Sequence, residues 1–297
     1  MTKAKSLKLT CLMLLLLASS LACTKEKGAV DGNSAAEDNY ATFFDDEVRP
    51  AASQPCFSGA FYRKIVSSKD KWLGIGGTVR LPDMVFDQSR KNPAKLGQYL
   101  DNPSVYLGGN MNGQETDIGL TWEVIKDEQG NVSADRRAFR PFLRRTAYSG
   151  QDAAYQNAPA QSDYYWYPGD EVTLSVRVVA DGKIRFTIDG AGKHFETDFD
   201  CAGFRLNSMG EFKRVNAIDQ VANEGKPAQP TKTRVEHAVW KATNLFRREQ
   251  GKVLTVPLHD KRFTDMRCPS ADNFSITASN QDKKVGGESI DINGAGY

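Results

Sequence analysis

The stretch QETDIGLTWEVI, residues 114 to 125, carries three carboxylates at strand spacing. Alternation assigns Ile118, Leu120, Trp122 and Val124 to one face and Glu115, Asp117, Gly119, Thr121 and Glu123 to the other. Cleavage of a glycosidic bond needs two carboxyls, about 5 to 5.5 Å apart for retention and about 6.5 to 9.5 Å for inversion. Same-face neighbours on a strand have Cα atoms about 6.6 Å apart, so Glu115 and Asp117 are the catalytic candidates. Glu123 lies about 26 Å further along and is out of reach. The competing reading makes these acids the hydrated outer face of a half-buried strand, where charge is ordinary. A contact to a glycan or an ion is the third.

Two further clusters could meet a ligand. SDYYWYPGD places Tyr164, Tyr165, Trp166 and Tyr167 in a row before a Pro-Gly turn. Aromatic rings stack on sugar faces while their OH and NH groups bond hydroxyls, but consecutive strand residues face opposite ways, so at most two share a surface. The alternative buries Tyr165 and Tyr167, or Trp166, in the core. FRPFLRRT holds Arg140, Arg144 and Arg145, with Arg136 and Arg137 just upstream. Guanidinium groups grip carboxylates bidentately, so an acidic glycan fits them, as does pairing with acids on the same sheet. His194, His237 and His259 lack metal spacing, and no nucleophile elbow, Walker loop or dinucleotide fingerprint occurs. No metal and no cofactor is expected. His259-Asp260 could join a hydrolase triad only if a serine approached in space.

The elements that must position these residues read as strands, with period 2 and Gly, Pro, Asn and Asp at the boundaries. In EVTLSVRVVADGKIRFTIDG, Val172, Leu174, Val176 and Val178 share a face, Asp181-Gly182 turns, and Ile184, Phe186 and Ile188 return: a hairpin. Other strands are expected at 72–81, 104–110, 116–125, 139–146, 194–199, 252–258 and 273–279. TRVEHAVWKATNLF has partly helical spacing and suits a strand plus turn equally, while FKRVNAIDQVANEGKP reads as a long loop. The architecture expected is all-β, a two-sheet antiparallel β-sandwich of jelly-roll type.

The series GTVRLP, YLGGN, GQETDIGLTWE and WYPGDEVTLSVRVVADGKIRFTIDG resembles the concanavalin A-like lectin and glucanase superfamily, over residues 72 to 199. The polar face of 115–123 resembles the E-x-D-x-E strand of laminarinase- and lichenase-like hydrolases. That resemblance implies Glu115 as nucleophile and Asp117 as assistant, but the acid/base position falls on Gly119, which has no carboxylate.

Residues 1–22 read as a signal peptide, with Lys3, Lys5 and Lys8 before an apolar run from Leu9 to Leu21. SLAC ending at Cys23 resembles a bacterial lipobox, although Ser20 stands where an aliphatic residue is usual, so Cys23 is the expected lipidation site. Without the leader the chain has 36 Lys and Arg against 37 Asp and Glu, a balance that gives no reason to expect nucleic acid. Residues 23–55 read as the lipidated cysteine and a flexible tether, and 56–297 as one sandwich domain. Cys56, Cys201 and Cys268 remain for an oxidising compartment; Cys201 with Cys268, or Cys56 with Cys201, is the expected bridge.

The leading expectation is an exported lipoprotein, anchored to the bacterial cell envelope by lipid alone, that binds a carbohydrate or other surface partner without catalysis. The site residues expected are Tyr164, Tyr165, Trp166, Tyr167, Glu115, Asp117 and Arg140. A glycan-cleaving hydrolase or lyase of the same fold, with Glu115 and Asp117 catalytic, is the alternative. An adhesion lipoprotein with a protein partner is the third.

Overall fold

A computed structural model describes residues 40–123 and 138–297. The signal peptide, Cys23, the tether as far as residue 39, and Val124, Ile125, Arg136 and Arg137 lie outside the described residues. Among the described residues sixteen strands follow one another: β1 (Ala60–Ser67), β2 (Trp72–Arg80), β3 (Asp83–Val85), β4 (Asp101–Met111), β5 (Gln114–Glu123), β6 (Ala138–Arg145), β7 (Ala154–Asn157) and β8 (Glu171–Ala180). Then come β9 (Lys183–Gly190), β10 (Lys193–Asp200), β11 (Gly210–Gln220), β12 (Arg234–Glu249), β13 (Lys252–Pro257), β14 (Phe263–Cys268), β15 (Phe274–Thr277), a short helix α1 (Asn280–Val285) and β16 (Glu288–Asn293).

They form two antiparallel sheets, as the alternation requires. One has the order β14-β1-β11-β4-β5-β6-β7; the other runs β10-β9-β8-β2-β12-β16-β15, with β3 and β13 also pairing to β12. Ile118 and Leu120 of β5, Val105 and Leu107 of β4, and Val172, Leu174 and Val176 of β8 meet in the shared core. Trp72, Trp166 and Trp240 are almost wholly buried there, each worth roughly 1.5 to 3 kcal/mol or more of hydrophobic transfer. In the β8–β9 hairpin, Gly182 takes a φ of +77°, which glycine adopts without steric cost.

Four expectations change. The 234–249 segment is one long strand whose helical-looking spacing comes from bulges. Register shifts between Val235 and Ala238 and between Trp240 and Ala242 each move the inward face by a residue. Buried positions therefore fall at Val235, Ala238, Trp240, Thr243 and Leu245.

FKRVNAIDQVANEGKP is a loop only at its end. Residues through Gln220 form β11, which lies between β1 and β4. Its inward face carries Arg214 and Asn216 beside Phe212 and Ile218, so polar residues on both faces hide the alternation.

The expected tether is part of the fold from Tyr40 onward. Val48 bridges Lys69, Phe44 packs against Trp72, and buried Glu47 accepts from Arg262 at 2.7 Å. The apolar positions in that acidic segment find partners that composition does not reveal.

The disulfide joins Cys56 to Cys268 across a Cα distance of 5.8 Å. Cys201, expected as one half of the bridge, is a free buried thiol. Antiparallel pairing sets Cys268 opposite Tyr62, close to where the chain after Cys56 leads into β1 at Ala60. Cys201 instead closes the end of the β9–β10 ribbon, its N–H bonded to Gly182.

Candidate functional site on the outer face of the seven-stranded sheet

The core-facing residues of β5 leave Glu115, Asp117, Gly119 and Thr121 on the opposite, outer face, as alternation demands. These acids are not simply hydrated. Register aligns Lys213 of β11, Gly108 of β4, Asp117 of β5 and Arg144 of β6 in one row across the sheet. Lys213 Nζ lies 2.7 Å from Asp117 Oδ1 and also donates to Glu115, while Arg144 donates to Asp117 Oδ2 at 2.6 Å.

Glycine makes this reach workable. A Cβ on Gly108 would lie 1.9 Å from the carbonyl oxygen of Thr116 and 3.2 Å from Cε of Lys213. The bare backbone is thus the trough along which the lysine crosses β4. Gly119 plays a second steric part, because a Cβ there would sit 2.5 Å from Cα and Cβ of Tyr106, its cross-strand partner. Where the resembling hydrolase strand carries its acid/base, the adjacent strand closes in with Cα and Cβ of Tyr106 and the Val105 carbonyl oxygen.

Electrostatics divides the cluster. Burial pushes the Asp117 carboxyl up, but Lys213 and Arg144 outweigh it and hold the pKa below the usual range. Burial likewise opposes the charge on Lys213, whose pKa is nonetheless raised by Asp117 and Glu115. Lys64 is lowered by burial and by the charge of Lys213. Tyr106 stays a neutral phenol, pushed far up by burial and by Asp117. Asp219, on the same outer face of β11, accepts from Ser104 at 2.6 Å, yet burial lifts its pKa to about 6.

A second apolar cluster shares this face: Tyr62, Tyr106, Phe142, Val215, Ala217 and their neighbours. Phe57 stacks on Tyr62 at 3.9 Å, held there by the adjoining Cys56–Cys268 bridge. That covers the β14-β1 side. Toward β5-β7, Glu115 and Arg144 remain about two-fifths to one-half exposed at their side chains, and Tyr155 is 58% exposed. Tyr155 pairs with Arg144 across the β6–β7 ladder and stacks against Phe142.

Of the residues the sequence singled out, Glu115 and Asp117 come together. Arg140 lies further along the sheet, opposite Thr121, and pairs with Glu123 at 3.0 Å. The aromatic row does not form a platform. Trp166 is fully buried and donates Nε1–H to Gly190, Tyr165 is buried against Ala138, and Tyr164 packs edge-on to Phe195. Tyr167 packs beside Tyr165 with the Lys193 ammonium 5.3 Å above its ring. His259 is buried with Tyr40 and Phe43 packed edge-on against its ring, and its Nε2 lies 3.3 Å from the Thr42 carbonyl oxygen.

Lys213, Asp219, Ser104, Tyr106 and Tyr155 were missed. Lys213 and Asp219 sit in the segment read as a loop, where the alternation Lys213, Val215, Ala217, Asp219 was the available signal. Among the described residues no group of three or more His, Cys, Asp or Glu is placed to hold a metal ion.

Neither a protein-family model nor a curated protein matches the chain. Solved structures that it is similar to include a scytalido-glutamic peptidase with a peptide-based transition-state analogue: 12% identity, 78% of this chain, 97% of that chain, TM-score 0.48. SCP-B, a member of the eqolisin family of peptidases, gives 13%, 78%, 97% and 0.45. An alginate lyase from Klebsiella pneumoniae gives 10%, 63%, 61% and 0.40.

Proposed function

We propose that the chain is an exported, lipid-anchored enzyme that cleaves an acidic glycan on the outer face of the seven-stranded sheet. One observation carries this reading: two carboxyls on that face, Asp117 and Asp219, have pKa values displaced in opposite directions. Environments that push paired acids apart separate a proton donor from a fixed charge. Asp219, with a pKa of about 6, holds a proton available near neutrality. Asp117 stays ionised and fixes Arg144, whose half-exposed guanidinium keeps donors free for a sugar carboxylate. Tyr155, opposite Arg144 in register, offers its exposed ring to a sugar face.

In hydrolysis, Asp219 protonates the glycosidic oxygen as the C–O bond breaks, and water then supplies the hydroxyl to the anomeric carbon while its second proton returns to the Asp219 carboxylate. Glu115 and Asp117 act through charge alone, since Lys213 holds both. The Cys56–Cys268 bridge supports export, because such bonds persist in oxidising compartments. Anchoring through Cys23 at the cell envelope completes the proposal.

The test is incubation of the purified protein with uronate-bearing and neutral polysaccharides, following reducing ends and unsaturated products. Cleavage of the acidic polymers is expected, falling by about 100-fold in Asp219→Asn with binding retained. A second reading, non-catalytic binding of the same glycan, is favoured by the lock of Lys213 on both strand carboxylates. Binding without product in the wild type would select it. Absence of both would discard the glycan and point to a protein partner.

A further inference from the structure

A separate cleft of about 450 Å³ opens at the far edge of the sandwich, between β14 of one sheet and the β15–β16 ribbon of the other. Its floor is ionic. Arg63 of β1 and Arg214 of β11 are 3% and 2% exposed, and both donate to the single buried carboxylate of Glu288. Two buried cations therefore share one buried anion, and Arg63 reaches a second acid, Asp265, at the rim. Charge buried without a full counter-charge is costly, and burial together with the neighbouring Arg63 lowers the Arg214 pKa to about 10.

The rim repeats the imbalance. Asp265 accepts from Arg63 and from Arg267, and its side chain is 44% exposed. Lys283 reaches the lining from α1, is exposed, and has no ion-pair partner among the described residues. Counting the whole lining, four basic side chains face three acidic ones. Phe263 and Ile276 supply an apolar wall beside this charge.

We propose that this cleft binds a small organic carboxylate. The carboxylate takes the place of Asp265 on Arg63, with Arg267 and Lys283 closing over it, and the apolar body lies against Phe263 and Ile276. Asp265 stands in for the ligand in its absence: a half-exposed rim carboxylate resting on the guanidinium that the ligand would claim. Displacing it leaves Asp265 to solvent, which its exposure makes cheap, and adds one negative charge to a lining in which basic side chains outnumber acidic ones. No bond is made or broken, so the site is one of binding.

The experiment titrates benzoate, acetate and inorganic phosphate into the purified protein, read by calorimetry and by the shift in Tm. Benzoate is expected to bind with a Kd of roughly millimolar or below, more tightly than acetate because of the apolar wall. Arg267→Ala and Lys283→Ala each weaken it by about tenfold, while Asp265→Asn tightens it by removing the competitor. All three positions are exposed, so the fold survives their replacement. Benzoate binding unchanged in these variants, or absent altogether, would overturn the proposal. Phosphate bound more tightly than benzoate would overturn the assignment to a carboxylate.

Discussion

Lys213 and Asp117 meet at 2.7 Å although a whole strand, β4, runs between theirs. The contact exists because Gly108 leaves the strand between them without a side chain. The ammonium is 8% exposed and the Asp117 carboxylate 13%, so each is paired largely out of water. Breaking such a pair by removing one partner leaves an uncompensated buried charge. Lys213→Met is therefore expected to lower unfolding free energy by about 3 kcal/mol or more, measured by urea denaturation. Adding Asp117→Leu should recover part of the loss; if the double replacement is worse than the single one, the pair is not what holds this row together.

Restoring the carboxylate that the hydrolase-like pattern would place at position 119 should harm the protein. Gly119→Glu would drive its Cβ into Tyr106, and overpacking of this kind costs typically about 1 to 3 kcal/mol or more. Tyr106→Ala in the same chain keeps the Cα and Cβ that the new side chain meets, and the Val105 carbonyl beside them, so it should not relieve that cost. Thermal melts of the single and double variants check this, and a stable Gly119→Glu chain would refute the steric account.

Asp219 gives a pH dependence with a definite sign. Its folded pKa, raised to about 6 by burial, exceeds that of an unfolded aspartate, so the folded state holds the extra proton between the two values. Its contribution to stability is full below the unfolded pKa and is lost as pH rises through about 6. Asp219→Asn should thus flatten the decline from pH 4 to pH 7. Asp117 and Glu288 act the opposite way: their depressed pKa values give stability above the usual carboxyl range that is lost as pH falls through the folded values. Denaturation midpoints against pH for wild type and variant separate the two. Parallel curves would remove Asp219 as a titrating group.

Reduction should act on the face as well as on stability. The Cys56–Cys268 bridge closes a loop of 212 residues, and losing such a cross-link typically costs about 2 to 5 kcal/mol. Cys56→Ser should also free Phe57 from Tyr62 and expose the adjoining chain to protease, with cleavage near residue 57 as the readout. Cys201, whose thiol is pushed up to about 12 by burial, should resist alkylation until the protein unfolds. Rapid labelling of the native chain would contradict its place in the core.

Much of the fold was written in alternation. Ile118, Leu120 and Trp122 inward and Glu115 and Asp117 outward follow from a period of two, and the β8–β9 hairpin follows from its valines and Asp181-Gly182. The same rule failed where bulges broke the period in β12, and where charges on both faces disguised β11 as a loop. Sequence also marked Gly119 as the place where the carboxylate pattern stops, but not the reason, which is Tyr106 on the adjacent strand.

What the sequence by itself determined was the sandwich and the side of each strand that meets the core, because those depend on neighbours along the chain. Which groups share the outer face was decided only by tertiary structure. Strand order and register bring Lys213, Arg144 and Asp219 from distant segments to the acids of β5, and burial then splits carboxyls of one kind into an ionised anchor and a proton holder. Contact across a sheet depends on pairing between strands, which no local period encodes.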